Sequence, residues 1–319
     1  MSLPLFGEIP TELLRLAREN PESPVYRQIF AEWVERYGGE EGRLLCPFLR
    51  GDKAVPHDAS TWRTLSASEA QMVSPFSDLV LGIGDRVELP LTETESITMG
   101  WVPPGQSWLG GGGDTEGTTA FTLEKGLWCG IYPVTCQQWD AVMANNPSQF
   151  KGNSRYPLNS VGEVSYNDVQ EFLVEVNAIN SGRGFLYRLP TADEWEYIVR
   201  GGPISKSQSK YNVYFARSKT DFTAVASSND LSLGKAAPYL DPTSARGKYL
   251  PNPLGMVAML GDSWEWTDTK KGSDCVVRGG WWDERDRTDF TAAAWYPLEP
   301  DDRNSLFLGF RLLAFPLGD

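Results

Sequence analysis

Apolar residues recur at helical spacing in two stretches, one near the N-terminus and one in the middle of the chain. The first stretch comprises Tyr26, Ile29, Phe30, Trp33, Val34 and Tyr37. Ser23 and Pro24 precede it as N-cap and first helical residue, and a glycine pair follows it as a C-terminal cap. The second stretch comprises Val169, Phe172, Leu173 and Val176. The spacing predicts one amphipathic helix in each stretch, with a single buried face.

Helix starts are indicated at three places by the residues of a capping box, in which the N-cap and the residue three positions later satisfy each other's backbone N–H groups. The second of these boxes directly precedes the second apolar stretch. The sequences are TCQQ (135–138), SYND (165–168) and TADE (191–194). The first and third fit the pattern, and the second is a near match. They predict three helices that begin just after Thr135, Ser165 and Thr191.

Short apolar runs separated by glycine and proline turns dominate the chain from Ile97 onward, which is typical of short strands in a loop-rich frame. Before that point the periodicity is weaker, and residues 80–83 and 87–91 are candidates for short strands. We therefore predict a helical module at 1–50, a linker or hairpin region at 51–95 and a main domain at 96–319. Capped helices mixed with short strands indicate an α+β domain.

The composition narrows the classes of function. A formal net charge of -13 argues against nucleic acid and anionic membranes as partners, because both require a basic face. His57 is the only histidine, which excludes multi-histidine metal centres and leaves histidine-dependent catalysis to that one residue. The cysteines have no CxxC spacing, so reduced thiols are expected. No secretory signal and no membrane-spanning run is visible, so we expect a cytoplasmic protein without membrane insertion.

Seven motifs follow one another in an order that is far more specific than any one of them. They are MGWVPPGQSWLG (99–110), GLWCGIYPVTCQQWDAVMANNPSQFKG (126–152), VSYNDVQEFL (164–173), RLPTADEWEY (188–197), PNPLGMVAMLGDSWEW (251–266), VVRGGWW (276–282) and LGFRLL (308–313). The order resembles the formylglycine-generating-enzyme/sulfatase-modifying-factor family. The resemblance implies a variant of the C-type lectin fold, an α+β domain with a small antiparallel sheet.

Much of this motif set is then expected to be scaffold. We predict that three tryptophans are core aromatics, namely Trp195, Trp264 and Trp266. We also predict that three charged residues form internal charge-assisted hydrogen bonds, namely Arg188, Glu194 and Arg278.

The catalytic chemistry of the family does not transfer to this sequence. The family enzyme oxidises a substrate cysteine with two cysteines of its own, and alignment on the RGG motif puts Glu284 and Asp289 at their positions. A carboxylate cannot perform thiolate–copper or disulfide chemistry. A related sulfoxide synthase needs three histidines, which the chain lacks. We therefore expect no enzyme and no required cofactor, with Glu284 and Asp289 left open as an acid/base pair.

Residues 281–307, here called the bracketed segment, read WWDERDRTDFTAAAWYPLEPDDRNSLF between the scaffold motifs RGG and GFR. Aromatic and arginine side chains among polar groups are typical of protein-recognition hot spots. The placement resembles the variable proteins of diversity-generating retroelements, in which a lectin-fold domain presents a hypermutated segment between the same two motifs. It implies a ligand-binding protein whose C-terminal surface varies.

Within the bracketed segment we predict an exposed, ligand-facing set. It comprises Trp281, Asp283, Glu284, Arg285, Arg287, Thr288, Asp289, Trp295, Tyr296, Leu298, Asn304, Leu306 and Phe307. The expected partner is a protein surface, with a glycan as the alternative, on another cell or a phage target. We expect a monomer that can associate with a surface or phage particle.

The family also carries structural calcium, and the resemblance assigns one site to the GDSWEW motif. A hard cation needs oxygen ligands, and the implied ligands here are Leu260, Gly261, Ser263 and Glu265, with Asn229 a candidate for a second site. Two functional alternatives stay open. The chain can be a fixed interaction or regulatory domain of the family, or an oxidase-like enzyme.

Overall fold

The structure is a computed structural model. It describes residues 15–17, 24–37, 64–65, 85–112, 115–149, 151, 160–210, 252–260, 262–280, 291–303 and 308–316. The bracketed segment is therefore described at 291–303, and its residues 281–290 and 304–307 lie outside the described ranges.

Four α-helices have defined bounds: α1 (Pro24–Tyr37), α2 (Cys136–Val142), α3 (Tyr166–Ile179) and α4 (Ala192–Val199). A 3-10 turn follows at Lys206–Gln208. Complete capping boxes begin α2 at Thr135, α3 at Ser165 and α4 at Thr191, which confirms all three predicted starts. Each box satisfies N–H groups that a helix leaves without intrahelical partners, so the local sequence alone fixes these boundaries.

Twelve strands form three sheets in the described residues. The strands are β1 (Thr64–Leu65), β2 (Arg86–Pro90), β3 (Ser96–Val102), β4 (Gly105–Leu109), β5 (Thr119–Leu123), β6 (Leu127–Gly130), β7 (Phe185–Arg188), β8 (Trp264–Lys271), β9 (Asp274–Arg278), β10 (Trp295–Leu298), β11 (Leu308–Gly309) and β12 (Leu313–Pro316). Strands and helices mix along the chain, as expected for the α+β class.

The largest sheet has six strands in the order β1-β2-β3-β6-β12-β7, and β12 lies inside it, antiparallel to both β6 and β7. β2 pairs antiparallel with β3 over five residue pairs. β2 agrees with the strand predicted at 87–91, and its partner β3 lies beyond residue 95, while the other candidate strand, at 80–83, lies outside the described residues. Because Val87 and Leu89 alternate with polar residues and are buried, β2 belongs to the main core.

The second sheet has four strands in the order β10-β9-β8-β11, and β4 and β5 form a separate hairpin. β8 and β9 pair antiparallel with an irregularity between Trp266 and Lys270, and β11 runs parallel to the start of β8. β10 pairs with β9 alone and forms one edge. The four-stranded sheet is the element that holds both ends of the bracketed segment.

Aromatic side chains fill the core between helices and sheets. Trp139 of α2 stacks on Phe172 of α3 at a centroid distance of 5.2 Å, and Phe310 meets Phe172 edge to face at 5.3 Å. Trp195 and Trp266 are fully buried, as predicted, whereas Trp264 is only partly buried against the core.

The N-terminal helix α1 confirms the first amphipathic prediction with one correction. Phe30, Ala31 and Val34 are buried in the same cluster as the core of the main domain. Ile29, which we assigned to the buried face, is 45% exposed. The buried face of α1 therefore differs from the predicted one: Ala31 belongs to it and Ile29 does not.

Candidate ligand-binding surface

The bracketed segment leaves and rejoins the four-stranded sheet. It starts after β9, forms the edge strand β10, and ends where β11 pairs parallel with β8. Gly279, at its first end, has a φ of 107°, and a Cβ there would lie 2.8 Å from the carbonyl oxygen of Met259. The positive φ and the close approach both require glycine at this position. The first glycine of the RGG motif therefore has a backbone role.

Arg278 fastens the start of the segment to its continuation. Its Nη1 donates to the carbonyl oxygens of Ala292 at 3.1 Å and Ala294 at 3.4 Å, and it forms an ion pair with Glu196 at 3.1 Å. Glu196 also accepts from Arg200 Nε at 2.8 Å. Burial lowers the pKa of Arg278, and the charge of Glu196 acts against that shift. The internal role predicted for Arg278 is confirmed.

A buried ion pair holds the other bracket. Arg311, from the GFR motif, donates to both carboxylate oxygens of Glu265 at 2.7 Å, and Trp195 Nε1 donates to Oε2 at 2.7 Å. Arg311 and Glu265 have no exposed side-chain area. Burial opposes the charge, but the paired carboxylate raises the pKa of Arg311 overall. The Arg311 guanidinium is therefore charged in the core, where it makes charge-assisted hydrogen bonds to Glu265.

This pair argues against the calcium assignment at Glu265. Oε2 accepts two hydrogen bonds, from Arg311 and Trp195, Oε1 accepts one from Arg311, and the guanidinium already balances the charge that a cation would need. Asp262 Oδ2 accepts from Ser160 Oγ at 2.6 Å. Within the described ranges, no group of three or more His, Cys, Asp or Glu side chains is arranged to hold a metal ion. The resemblance assigns main-chain oxygens of Leu260 and Ser263 as ligands, and Gly261 and Asn229 lie outside the described residues. The remainder of the calcium site stays a prediction.

The turn after β10 is attached to the N-terminus of α3. Arg303 donates to both oxygens of Asp168, at 2.8 Å from Nε and 2.5 Å from Nη2. Asn167 donates to Asp301 Oδ1 at 2.5 Å. Burial tends to raise the pKa of Asp168, but hydrogen bonds from Ser165 and Arg303 outweigh it and lower that pKa. No local signal indicates these contacts, because Asp168 and Arg303 are 135 residues apart.

Three members of the predicted ligand-facing set are described. Trp295 is 44% exposed and Tyr296 is 59% exposed, in agreement with the prediction that they face solvent. As neighbours in a strand they point to opposite faces of the sheet. Lys271 Nζ lies 4.8 Å from the centroid of the Trp295 ring. Leu298 departs from the prediction, because it packs against the main core.

The remaining members of the set lie outside the described residues. They are Trp281, Asp283, Glu284, Arg285, Arg287, Thr288, Asp289, Asn304, Leu306 and Phe307. The two positions aligned with the family's catalytic cysteines, Glu284 and Asp289, are among them.

The described cysteines are all buried: Cys129, Cys136 and Cys275. Burial raises the pKa of Cys129 to about 12, against the charge of Arg311, and burial also raises the pKa of Cys136. A raised pKa disfavours the thiolate, which is the nucleophilic and metal-binding form. These two thiols therefore have the character of core residues. In the described part of the chain, no helix is long and apolar enough to cross a membrane.

The described charged pairs of the RLPTADEWEY motif agree with the scaffold interpretation. Arg188 donates to both oxygens of Glu194 at 2.6 and 2.8 Å, and Glu194 completes the capping box of Thr191. Burial tends to raise the pKa of Glu194, but the charge and hydrogen bonds of Arg188 lower it overall. The predicted internal pairing of both residues is confirmed.

Solved structures similar to this chain share its fold. Treponema denticola variable protein 1 is 20% identical, with a TM-score of 0.56 over 72% of this chain and 98% of that one. PvdO from Pseudomonas aeruginosa is 20% identical, with a TM-score of 0.54 over 71% and 97%. CarF is 19% identical, with a TM-score of 0.53 over 72% and 100%. These likenesses confirm the predicted α+β, C-type lectin-like fold.

Sequence comparison identifies the family. The chaperone protein LppX of Paenibacillus barcinonensis is 28% identical, over 49% of this chain and 69% of that protein. The model of the sulfatase-modifying factor enzyme 1-like domain matches residues 88–315, which begin within β2. The chain belongs to the sulfatase-modifying factor enzyme 1-like family.

Proposed function

We propose that this protein is a non-catalytic ligand-binding protein that presents the bracketed segment on a rigid lectin-type frame to a protein partner. The observation that carries the proposal is the exposure of Trp295 and Tyr296 on an edge strand of the bracketed segment, which is flanked at its two ends by buried arginines. Large aromatics held in place lose little conformational freedom on binding, which favours affinity.

The contrast between the ends and the middle of the segment supports this role. Arg278 and Arg311 hold the ends through buried hydrogen bonds to the frame. Between them, side chains of β10 can change without removing those bonds, because the acceptors are main-chain carbonyl oxygens and the Glu265 carboxylate, not the exposed side chains of Trp295 and Tyr296. A frame with this property tolerates sequence variation in the segment, as the likeness to a variable protein suggests.

The relative from Paenibacillus barcinonensis carries the name of a chaperone, and chaperones act by binding other proteins. That name supports binding as the activity of this chain. The name of the family, which refers to an enzyme, favours catalysis instead. The raised pKa values of Cys129 and Cys136 argue against thiol catalysis by these residues.

The first experiment is deep sequencing of the gene region for 276–313 in many clones of the source population. We expect substitutions concentrated at 281–307, with the codons for Arg278 and Arg311 unchanged. An invariant segment would contradict a diversified receptor and favour a fixed interaction domain.

The binding surface is tested with a pair of double variants. Trp295→Ala/Tyr296→Ala is compared with Val174→Ala/Leu186→Ala, which removes exposed apolar groups from α3 and β7. For a partner captured by the wild-type chain, we expect the first variant to lose at least roughly thirtyfold in Kd, or about 2 kcal/mol. The control should bind normally. An equal loss of affinity in both variants would contradict the assignment of the binding surface to β10.

Catalysis is tested by oxygen uptake of the copper-supplemented protein with thiol peptides. We expect no uptake above that of the Glu284→Ala/Asp289→Ala variant. Uptake that depends on a cysteine of the chain and exceeds one dioxygen per chain would overturn the non-catalytic proposal.

A further inference from the structure

Lys270 and Cys275 face each other directly across the turn that joins β8 and β9. They are register partners in the strand pair. The distance between Lys270 Nζ and Cys275 Sγ is 2.8 Å, while Cys275 is fully buried and Lys270 reaches the surface. The pair is therefore a buried thiol in direct contact with a primary amine.

This contact is much shorter than the other sulfur contacts of the described residues. Cys129 Sγ lies 3.5 Å from the carbonyl oxygen of Gly130, and Cys136 Sγ lies 3.7 Å from Ser148 Oγ. Asn252 Nδ2 lies 3.9 Å from the sulfur of Met259. The separation at Lys270 and Cys275 is closer to that of two atoms joined through one bridging atom than to that of an ordinary sulfur hydrogen bond.

The surroundings hold the amine on the thiol. Lys270 Nζ lies 3.6 Å from the centroid of the Tyr166 ring, and Tyr166 donates its hydroxyl hydrogen to Asp268 at 2.6 Å. The ring, fixed by this bond, attracts the ammonium group. This contact and the contact with Sγ together reduce the rotamer freedom of the lysine side chain.

We propose that Lys270 and Cys275 form an oxidative modification site, in which one oxygen atom bridges Nζ and Sγ. The oxidant is dioxygen, or two equivalents of a peroxide. With dioxygen, the Lys270 ammonium group first gives one proton to water. The S–H bond and one N–H bond of the resulting amine then break, and S–O and O–N bonds form. The second oxygen atom leaves with the two hydrogens as water. Sulfur and nitrogen each give up two electrons, which accounts for the four that dioxygen accepts.

The bridge fixes the strands beside the exposed edge. Cys275 is the register partner of Lys270 on one side and of Leu298 in β10 on the other. A covalent link between β8 and β9 therefore restrains the strand on which β10 rests. The inference does not depend on the proposed ligand-binding function, because it concerns only this pair of side chains.

The test is intact-mass measurement of the full chain, purified with and without a thiol reductant. One oxygen gained and two hydrogens lost predict a mass about 14 Da higher in the air-exposed protein, reversed by reductant. Thiol titration of the unfolded protein should then give one thiol fewer than the four cysteines of the sequence. Peptide mapping should locate the change to 270–275.

Matched variants separate the bridge from ordinary thiol oxidation. Lys270→Arg keeps the positive charge and Cys275→Ser keeps the size, and each should abolish the shift. Cys136→Ser, at another buried cysteine, should retain it. A shift of about 16 Da instead, or a shift that persists in Lys270→Arg, means sulfenic acid alone and overturns the proposal. So does an unchanged mass with all thiols titrating in the wild-type chain.

Discussion

Two arginine–carboxylate pairs with nearly the same geometry serve different regions of the molecule. Arg311 and Glu265 join the frame with no exposed side-chain area, whereas Arg303 and Asp168 join the turn after β10 with 57% and 16% exposed. Both arginines are bidentate. The two pairs differ in solvent exposure rather than in hydrogen bonding, and exposure decides how much the loss of each pair changes the free energy of unfolding.

The buried pair is the more demanding of the two. Taking both charges out of water is costly, and each charge depends on its partner for compensation. Other parts of the frame also depend on Arg311. Its Nη1 donates to the carbonyl oxygens of Gly130 and Ile131, and its Nη2 donates to that of Val257. One side chain therefore connects three parts of the frame to the start of β12.

The largest effect is expected from Arg311→Leu. It leaves the Glu265 carboxylate buried without its cation, and we expect a loss of about 3–5 kcal/mol in the free energy of unfolding. Urea unfolding followed by tryptophan fluorescence measures it. Arg311→Leu/Glu265→Gln is the matched control, and it should recover part of the loss because the uncompensated charge is gone. A loss below about 1 kcal/mol in the single variant would remove the distinction between the two pairs.

A smaller effect is expected from Arg303→Ala. The pKa of Asp168 is lowered in the folded state, so its contribution to stability is complete above the unfolded pKa of about 3.9. It is lost as the pH falls through the lower folded value. We expect Arg303→Ala to lose at most about 1 kcal/mol at neutral pH. The difference from wild type should shrink in acid and in high salt.

Unfolding at several pH values checks this, with Arg183→Ala as a control at another exposed arginine. A loss for Arg303→Ala that grows in acid would contradict the assigned sign.

The exposed edge itself should contribute least to stability. Trp295→Ala/Tyr296→Ala removes surface groups, and we expect the free energy of unfolding to stay within roughly 0.5 kcal/mol of wild type. Thermal or urea unfolding measures it. A loss of several kcal/mol would mean that β10 is part of the core, and the binding result for this variant would no longer report on a surface.

Removal of calcium should have no measurable effect. Because Glu265 is paired with Arg311, we expect the melting temperature to be the same with and without a calcium chelator. A drop on chelation that is restored by added calcium would place a cation elsewhere in the motif. It would also reopen the ligand set predicted from the resemblance.

Local features could be predicted from the sequence, and long-range ones could not. The capping boxes at Thr135, Ser165 and Thr191 depend on residues three positions apart, so the sequence contains the whole signal. The resemblance assigned Glu265 as a cation ligand. Its pairing with Arg311 could not be seen in the local sequence, because Arg311 lies 46 residues further on. Exposure of Trp295 and Tyr296 could be anticipated from the resemblance to the variable proteins, but the packing of Leu298 against the core depends on how the sheet packs.

The position of β12 inside the six-stranded sheet has a consequence for synthesis. During translation, β6 and β7 emerge long before the strand that joins them, so the sheet stays incomplete until the bracketed segment has passed through the ribosome. A copy with a stop codon or frameshift in that segment lacks both Arg311 and β12. Such copies cannot close the sheet and are open to proteolysis, so the fold itself selects for segments that have been translated in full.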